Sequence, residues 1–168
     1  MKSRLTGFTL LELLVVLVIV GITMSFAVLS LGLRSDKDIV LEESRRLTAL
    51  MQLASEEAVV QGRELAMQFD GPDYRFLVLD NKNKWQAIEE DEVLRERSLP
   101  DGLQAELVVE GLGKTSATST GQLIYFYSSG EVSPFQLSLQ DSQRKYLYTI
   151  NGDAQGLIQH AEDDRYAG

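Results

Sequence analysis

The sequence contains no cysteine and one histidine, His160, among its 168 residues. The lack of cysteine excludes a disulfide framework and a thiolate metal site. A single histidine cannot form a histidine cluster, and no acid or nucleophile stands in a recognisable arrangement with His160. With three prolines and 13 glycines, the composition also excludes collagen-like and low-complexity architectures. The sequence therefore predicts no catalytic residues, no metal and no cofactor.

Charge is distributed unevenly along the chain. Residues 8–33 contain one charged side chain, Glu12, so residues 34–168 hold 24 of the 25 acids and, after Lys2 and Arg4, 14 of the 16 bases. The roughly 135 residues after the apolar segment are enough for one compact domain. Their excess of acids makes nucleic acid an unfavourable partner. We predict a single acidic domain on an apolar stem, with no nucleic acid bound.

The apolar segment from Leu13 to Leu33 contains no charged residue. A helix of this length can span a bilayer, and the run is longer than the apolar core of a cleaved secretory signal, which has about 7–15 residues. Lys2 and Arg4 precede it, so the positive-inside rule places the N-terminus in the cytoplasm and the remainder outside. We predict a retained, single-pass membrane helix over residues 8–33.

Glu12 is unusual in such a helix, because a central carboxylate costs about 2.5–3.5 kcal/mol on insertion scales. The free-energy cost of the carboxylate is smaller near the headgroups. The position of Glu12 alone therefore does not decide whether this residue has a function or is incidental. The surrounding residues form a specific pattern after a basic leader: Gly7, Phe8, Thr9, Leu10, Leu11 and Glu12.

This pattern resembles the N-terminus of type IV pilin-like proteins. The resemblance implies that a prepilin leader, residues 1–7, is cut between Gly7 and Phe8 by an inner-membrane prepilin peptidase. It also implies N-methylation of Phe8 and an assembly role for Glu12, whose carboxylate attracts the N-terminal ammonium of a neighbouring subunit. In a bundle of low dielectric constant each charge needs the other, so the pair would set the axial register of subunits.

Residues 34–62 are predicted to form an amphipathic stem helix, which ends at Gly62. Its apolar residues recur at helical spacing: Val40, Leu47, Leu50, Met51, Ala54 and Ala58. The charged residues are expected on other faces, with Glu42 and Arg46 as a pair: Glu42, Glu43, Arg45, Arg46 and Glu56. Because no proline interrupts residues 8–61, one continuous helix is an alternative to a break near Gly32 and Ser35.

Residues 63–168 are predicted to be a β-rich periplasmic domain. Alternating patterns bounded by turn residues indicate strands at 64–69, 74–79, 84–88, 103–110, 122–127, 135–139 and 146–150, with a weaker pattern at 156–159. Two segments, 89–102 and 111–121, are predicted to be loops. The expected fold is α+β, in which the long N-terminal helix packs on an antiparallel sheet or a two-sheet sandwich.

Three local patterns favour ordinary structure over a binding site. The run 111–115 lacks the first glycine of a phosphate loop, and the acids at 89–92 are expected to be solvated rather than to bind Ca²⁺. The aromatic residues are interpreted as alternating core and surface positions of strands, not as a nucleic-acid platform: Trp85, Tyr125, Phe126 and Tyr127.

The aromatic strand and serine-glycine turn at 124–130, with the terminal hairpin at 150–158, narrow the resemblance to the H-type minor pseudopilin of type II secretion systems. That resemblance implies a structural part of the pseudopilus, in its tip complex, supporting export of folded proteins across the outer membrane. The implied partners are the prepilin peptidase, other minor and major pseudopilins, the inner-membrane assembly platform and secreted substrates.

Two alternatives remain open at this stage. One is a minor pilin of a type IV pilus, for adhesion, motility or DNA uptake, although the acidic residues 162–164 stand where a DNA-binding relative is expected to carry bases. The other is a membrane-anchored periplasmic enzyme, which lacks support because the sequence offers no nucleophile and base pair.

Overall fold

The computed structural model describes residues 10–31, 35–110, 113–116 and 123–162. The chain divides into two compact units, Met1–Ser35 and Asp36–Gly168. The first unit contains helix α1 (Leu10–Leu31), and the second contains helix α2 (Asp36–Gln61) and all ten strands. The predicted leader 1–7 and residues 32–34, where a break in the helix was left open, lie outside the described residues.

Helix α2 buries one face, as its apolar spacing predicts. The six predicted apolar residues are all buried, and the alanines near the end of the helix allow close packing. The C-terminus is capped by Gly62, which has a positive φ of 61°. The N–H of Gly62 donates to Val59 O at 3.3 Å and that of Arg63 donates to Ala58 O at 3.1 Å. This is the Schellman arrangement, which satisfies the last carbonyls of the helix.

Among the described residues, ten strands follow α2. Their bounds are β1 (Leu65–Asp70), β2 (Asp73–Leu79), β3 (Trp85–Ala87), β4 (Arg97–Ser98), β5 (Leu103–Val109), β6 (Gly113–Ser116), β7 (Leu123–Phe126), β8 (Phe135–Asp141), β9 (Leu147–Gly152) and β10 (Ile158–Glu162). All of their pairings are antiparallel. The eight predicted strands are therefore confirmed, the last of them displaced toward the C-terminus because residues 156 and 157 belong to the preceding turn.

The strands form two five-stranded sheets. The first has the order β3-β2-β1-β7 with β4 also paired to β2, and the second has the order β10-β9-β8-β5-β6. Helix α2 contacts strands of both sheets, and a single apolar core contains its buried face together with residues of both sheets, such as Phe76 and Leu137. The α+β prediction is confirmed, and of the two predicted β architectures the chain adopts the one with two sheets.

Two strands occur in segments predicted to be loops. Strand β4 has two residues, which pair with Asp73 and Tyr74 of β2, and it is too short to produce a detectable alternation. Strand β6 extends the second sheet beside β5, although its residues, Gly-Lys-Thr-Ser, carry no large apolar side chain. The prediction of structureless loops at 89–102 and 111–121 is therefore wrong at these two places.

Aspartates order three of the turns between strands. The Asp80 carboxylate accepts the N–H groups of Lys82 and Lys84 at 2.8 and 2.9 Å, and these backbone bonds lower its pKa. Asp153 accepts the N–H groups of Gln155 and Leu157, both at 3.0 Å. Asp141 does the same in the β8–β9 turn, which accounts for its burial. The predicted turn at 80–83 follows this Asx chemistry. The prediction of a turn at 151–153 is wrong for Asn151 and Gly152, which belong to β9, and the turn begins at Asp153.

The turn after β7 and the turn between β9 and β10 meet at the end of the second unit where α2 ends. Gly156, in the β9–β10 turn, has φ +88°, and a Cβ there would overlap the carbonyl oxygen of Gly130. The turn that contains Gly130 is held by Glu64, which accepts the N–H of Ser128 at 3.1 Å and its hydroxyl at 2.8 Å. Glycine is therefore required at 156 by both the backbone conformation and the close approach.

Candidate functional site

Over residues 10–23, helix α1 presents apolar side chains on every face. From Leu10 to Ile22 its large apolar side chains are 41% to 84% exposed, and Glu12 is the one charged residue in its sequence. A helix that is apolar all round is stable when lipid or other helices surround it. The exposed apolar surface of this helix is therefore typical of a segment that lipid or other helices cover.

The predicted site residues fall at the start of this helix. Glu12 lies in the first turn of α1 and is exposed, where the positive end of the helix dipole favours a carboxylate. Gly7 and Phe8 lie outside the described residues, so the structure does not test the predicted cleavage site. Within the described residues, no helix is both long and apolar enough to cross a membrane.

A buried polar cluster, which the sequence did not predict, joins α2 to the first sheet. Glu43 was expected on an exposed face, but it is 4% exposed. Its carboxylate lies 3.0 Å from the Arg46 guanidinium and accepts a hydrogen bond from the Tyr74 hydroxyl at 3.3 Å. The apolar spacing of α2 gave no indication of this contact, because Tyr74 is 31 residues away in sequence.

The same cluster reaches the segment between β3 and β5. The positive charge of Arg97, in β4, acts to lower the pKa of Glu43. The Arg97 guanidinium donates to the carbonyls of Glu92 and Val93 at 3.3 and 3.2 Å. Asp91 accepts the N–H groups of Val93 and Leu94 at 2.7 and 2.8 Å. The acidic run is thus a capped turn, and groups of three metal-binding side chains are absent from the described part of the chain.

Burial raises the pKa of Glu43 above its ordinary value of 4.5, because desolvation outweighs the opposing effects of Arg46, Tyr74 and Arg97. A raised native pKa means that the folded state binds more protons than the unfolded state. We therefore expect the free energy of unfolding to fall as pH rises from about 4.5 through the native pKa. Glu43→Gln is expected to remove this dependence, as measured by urea unfolding followed through Trp85 fluorescence.

Tyr74→Phe is the matched control for this prediction. It removes the hydroxyl that stabilises the ionised carboxylate, so we expect it to widen the pH range over which stability falls. A Glu43→Gln variant with the same pH dependence as the unchanged chain would contradict the assignment.

A row of aromatic rings lies on the outer face of the first sheet. The ring centroids of Trp85 and Tyr125 are 5.6 Å apart, and those of Tyr125 and Tyr127 are 6.2 Å apart. Phe126, between the two tyrosines in sequence, is completely buried on the opposite face. The predicted alternation of core and surface positions is confirmed.

The described part of the segment considered for a phosphate loop, residues 113–115, lies in a strand. Gly113–Ser116 forms β6, paired with β5, whereas a phosphate loop leads into a helix. The residues that follow, 117–122, lie outside the described range. The described geometry is that of a sheet edge.

Comparison with known protein families gives two matches along the chain. Residues 43–156, which include most of α2 and the strands through β9, match the family described as Type II transport protein GspH. Residues 2–28 match the Prokaryotic N-terminal methylation motif. The chain belongs to the GspH family. The resemblance to H-type minor pseudopilins is thereby confirmed.

Individual proteins named type II secretion system protein H are similar to this chain over most of their length. The chain is 31% identical to type II secretion system protein H of Aeromonas hydrophila, over 97% of both chains. It is 32% identical to the protein of the same name from Pseudomonas aeruginosa, over 80% of this chain and 83% of that one.

Solved structures show the same fold as this GspH-family chain. The crystal structure of the minor pseudopilin EpsH from the type II secretion system of Vibrio cholerae matches with a TM-score of 0.64 at 23% identity. It covers 75% of this chain and 95% of that one. The solution structure of Escherichia coli GspH matches with a TM-score of 0.58 at 16% identity, over 78% and 96% of the two chains.

Proposed function

We propose that this chain is a minor pseudopilin, a structural component of the pseudopilus of a type II secretion system that supports export of folded proteins across the outer membrane. The observation that carries the proposal is the presence, in one chain, of an N-terminal methylation motif and a GspH-family domain. The role is structural: the chain acts by packing and by one charge pair, without a catalytic centre.

In this proposal the chain is first inserted in the inner membrane, with the N-terminus in the cytoplasm and the β-rich domain in the periplasm. Its domains are then the leader 1–7, the membrane and assembly helix 8–33, the stem 34–62 and the β-rich domain 63–168. Removal of Lys2 and Arg4 with the leader leaves 25 acids and 14 bases, a net charge of −11. The apolar surface of α1 supports this placement, since it requires lipid or neighbouring helices around it.

In this proposal the processing and assembly site is Gly7, Phe8 and Glu12. The prepilin peptidase cuts between Gly7 and Phe8, and the new N-terminus at Phe8 is methylated. When the chain joins other pseudopilins on the inner-membrane assembly platform, Glu12 pairs with the N-terminal ammonium of a neighbour. A matched pair of opposite charges tolerates the apolar surroundings far better than either charge alone.

Replacement of Gly7 tests the cleavage site. We expect Gly7→Ala to slow or block removal of the leader, because the added methyl group occupies the peptidase site beside the scissile bond. The measurement is the mass of the chain recovered from membranes. Gly21→Ala is the control, since a Cβ at Gly21 meets no atom within 4 Å, and it should leave cleavage unchanged.

Deletion of the gene tests the function as a whole. In the native host, we expect the deletion strain to retain secreted proteins in the periplasm and to recover secretion when the full chain is supplied. Unchanged secretion together with a loss of surface pili would instead favour a type IV pilus subunit.

A further inference from the structure

Three aromatic rings form a continuous strip on the outer face of the first sheet. The ring centroids of Trp85 and Tyr125 are 5.6 Å apart, and those of Tyr125 and Tyr127 are 6.2 Å apart. Trp85 lies in β3, Tyr125 lies in β7 and Tyr127 follows β7 directly. These are the outer strands of the order β3-β2-β1-β7. We name the three side chains the aromatic strip.

The rings of the aromatic strip lean inward across the sheet. Neighbouring strands are about 4.8 Å apart, so the backbones of β3 and β7 are separated by about 14 Å, whereas the rings of Trp85 and Tyr125 are in contact. Between them lie Leu77 of β2 and Ala66 of β1, which are paired in register and are 7% and 0% exposed. The connected apolar core on the other face of the sheet does not include these two residues. The rings therefore cover Leu77 and Ala66 with one face and direct the other face toward solvent.

The solvent side of the aromatic strip is open. Tyr127 is 39% exposed, and Trp85 and Tyr125 are half-buried. An exposed ring face carries the negative part of the aromatic quadrupole, which attracts cations. Among the described residues the one cation over a ring is Lys145, which lies 5.2 Å from the centroid of Tyr146 before β9. Within that part of the chain, the ring faces of the aromatic strip thus have no cation of their own.

Two glutamates flank Tyr127 on the outer face. Glu131 is directly opposite Tyr127 in the hairpin that follows β7, and its carbonyl oxygen accepts the N–H of Tyr127 at 2.9 Å. On the other side, the register of β1 with β7 places Glu64 opposite Tyr127. Opposite residues of antiparallel strands project from the same face of a sheet. The exposed Glu131 and the half-buried Glu64 therefore stand on both sides of this ring.

The bases near the aromatic strip do not balance these acids. Arg75 belongs to the same face, but its Nε donates to Gln68 Oε1 at 3.1 Å and its guanidinium lies 3.9 Å from Asp70. Arg63 and Lys84 each directly precede a residue of this face, and consecutive residues of an extended chain project to opposite sides. Among the described residues, the end of the strip at Tyr127 therefore carries an excess of negative charge.

Ring faces beside carboxylates match the chemistry of a guanidinium group. Arginine is planar, stacks on aromatic faces and presents parallel N–H groups that fit a carboxylate. Phosphate-bearing ligands are disfavoured by the same acids. A small free cation fits poorly, because small-molecule sites are concave and bury most of their ligand, whereas the strip lies on an open sheet face.

We propose that the aromatic strip binds arginine side chains of another polypeptide, with the guanidinium stacked on Tyr127 and Tyr125 and its N–H groups donated to Glu131 and Glu64. The partner is thus a polypeptide segment that presents arginine. This binding does not require the proposed role in secretion, since the residues that form the site all belong to the first sheet and its turns.

The single tryptophan, Trp85, allows a direct test, because it is part of the aromatic strip. The full chain in detergent is titrated with a short peptide that alternates arginine and alanine, and Trp85 fluorescence is followed. The control peptide carries citrulline, which has nearly the size of arginine and no charge. We expect a saturable change with the arginine peptide and about tenfold weaker binding of the citrulline peptide. Equal affinities would overturn the proposal.

Variants separate binding at the strip from general attraction to an acidic chain, whose net charge is −9. Tyr127→Ala is expected to weaken binding of the arginine peptide about fivefold, and Glu131→Gln about two- to fivefold. Glu106→Gln is the matched control, since it removes the same charge from an exposed residue of β5 in the second sheet, and it should leave the affinity unchanged. Equal effects of Glu106→Gln and Glu131→Gln would show that the attraction is nonspecific and the proposal wrong.

A neutral glycan is the competing ligand for an aromatic sheet face, so an N-acetylglucosamine tetramer is titrated in the same way. Tighter binding of this sugar than of the arginine peptide, with loss of the sugar in Tyr127→Ala, would overturn the proposal and identify a glycan site. All of these measurements use the purified chain. Their failure is therefore distinguishable from failure of the proposed function, which the deletion strain tests.

Discussion

Replacement of Glu12 by alanine is expected to leave the leader cleaved and to abolish entry of the chain into the pseudopilus. The proposed cleavage site lies between Gly7 and Phe8, and Phe8 is four residues before Glu12, so the variant keeps the proposed peptidase substrate. In the assembled bundle, however, the N-terminal ammonium of the neighbouring subunit would lose its partner. Removing one member of a buried pair costs about 3–5 kcal/mol, which lowers incorporation more than about a hundredfold.

The measurement is the fraction of the processed chain that co-purifies with sheared pseudopili, together with secretion. Glu12→Gln keeps the size of the side chain and removes its charge, so it should resemble Glu12→Ala. Glu12→Asp keeps the charge and should retain partial incorporation. Normal secretion by both neutral variants would disprove the role of the pair.

Replacement of Gly156 by alanine is expected to destabilise the second unit strongly. The residue has φ +88°, a conformation that costs a residue with a Cβ about 1–2 kcal/mol. The added Cβ would also overlap the carbonyl oxygen of Gly130, a backbone atom that cannot rotate away, and such overpacking costs about 1–3 kcal/mol. We expect a loss of about 2–5 kcal/mol in the free energy of unfolding.

Gly71→Ala separates the two causes. Gly71 also has a positive φ, +65°, but a Cβ there meets no atom within 4 Å. We expect it to cost only the conformational part, about 1–2 kcal/mol. Urea unfolding in detergent, followed through the single tryptophan, Trp85, measures both variants. Equal losses would show that the contact between the two turns contributes nothing.

Sequence patterns predicted the parts of the fold that depend on local periodicity. The buried face of α2, from Val40 to Ala58, follows from apolar spacing. The turns at Asp80 and Asp153 follow from side chains that bind their own backbone. In each case the residues that make the structure are close neighbours in the chain.

The features that sequence reasoning missed depend on distant partners. Glu43 is buried because Tyr74 and Arg97 meet it across the fold, and β6 forms because β5 offers an edge to its backbone. Of the predicted site, Glu12 is placed in the first turn of α1, while cleavage at Gly7 and methylation at Phe8 stay predictions that rest on the N-terminal pattern.

The position of α2 in the second unit has a mechanical consequence. Any tension carried along the chain from α1 enters this unit at Asp36, the first residue of α2. Buried contacts run along α2 from Val40 to Ala58 and reach both sheets. A pull along the helix axis therefore loads these contacts together, in shear, instead of separating them one after another. Because forced unfolding is governed by the unfolding rate, we expect the domain to withstand more force pulled from its N-terminus than peeled from β10.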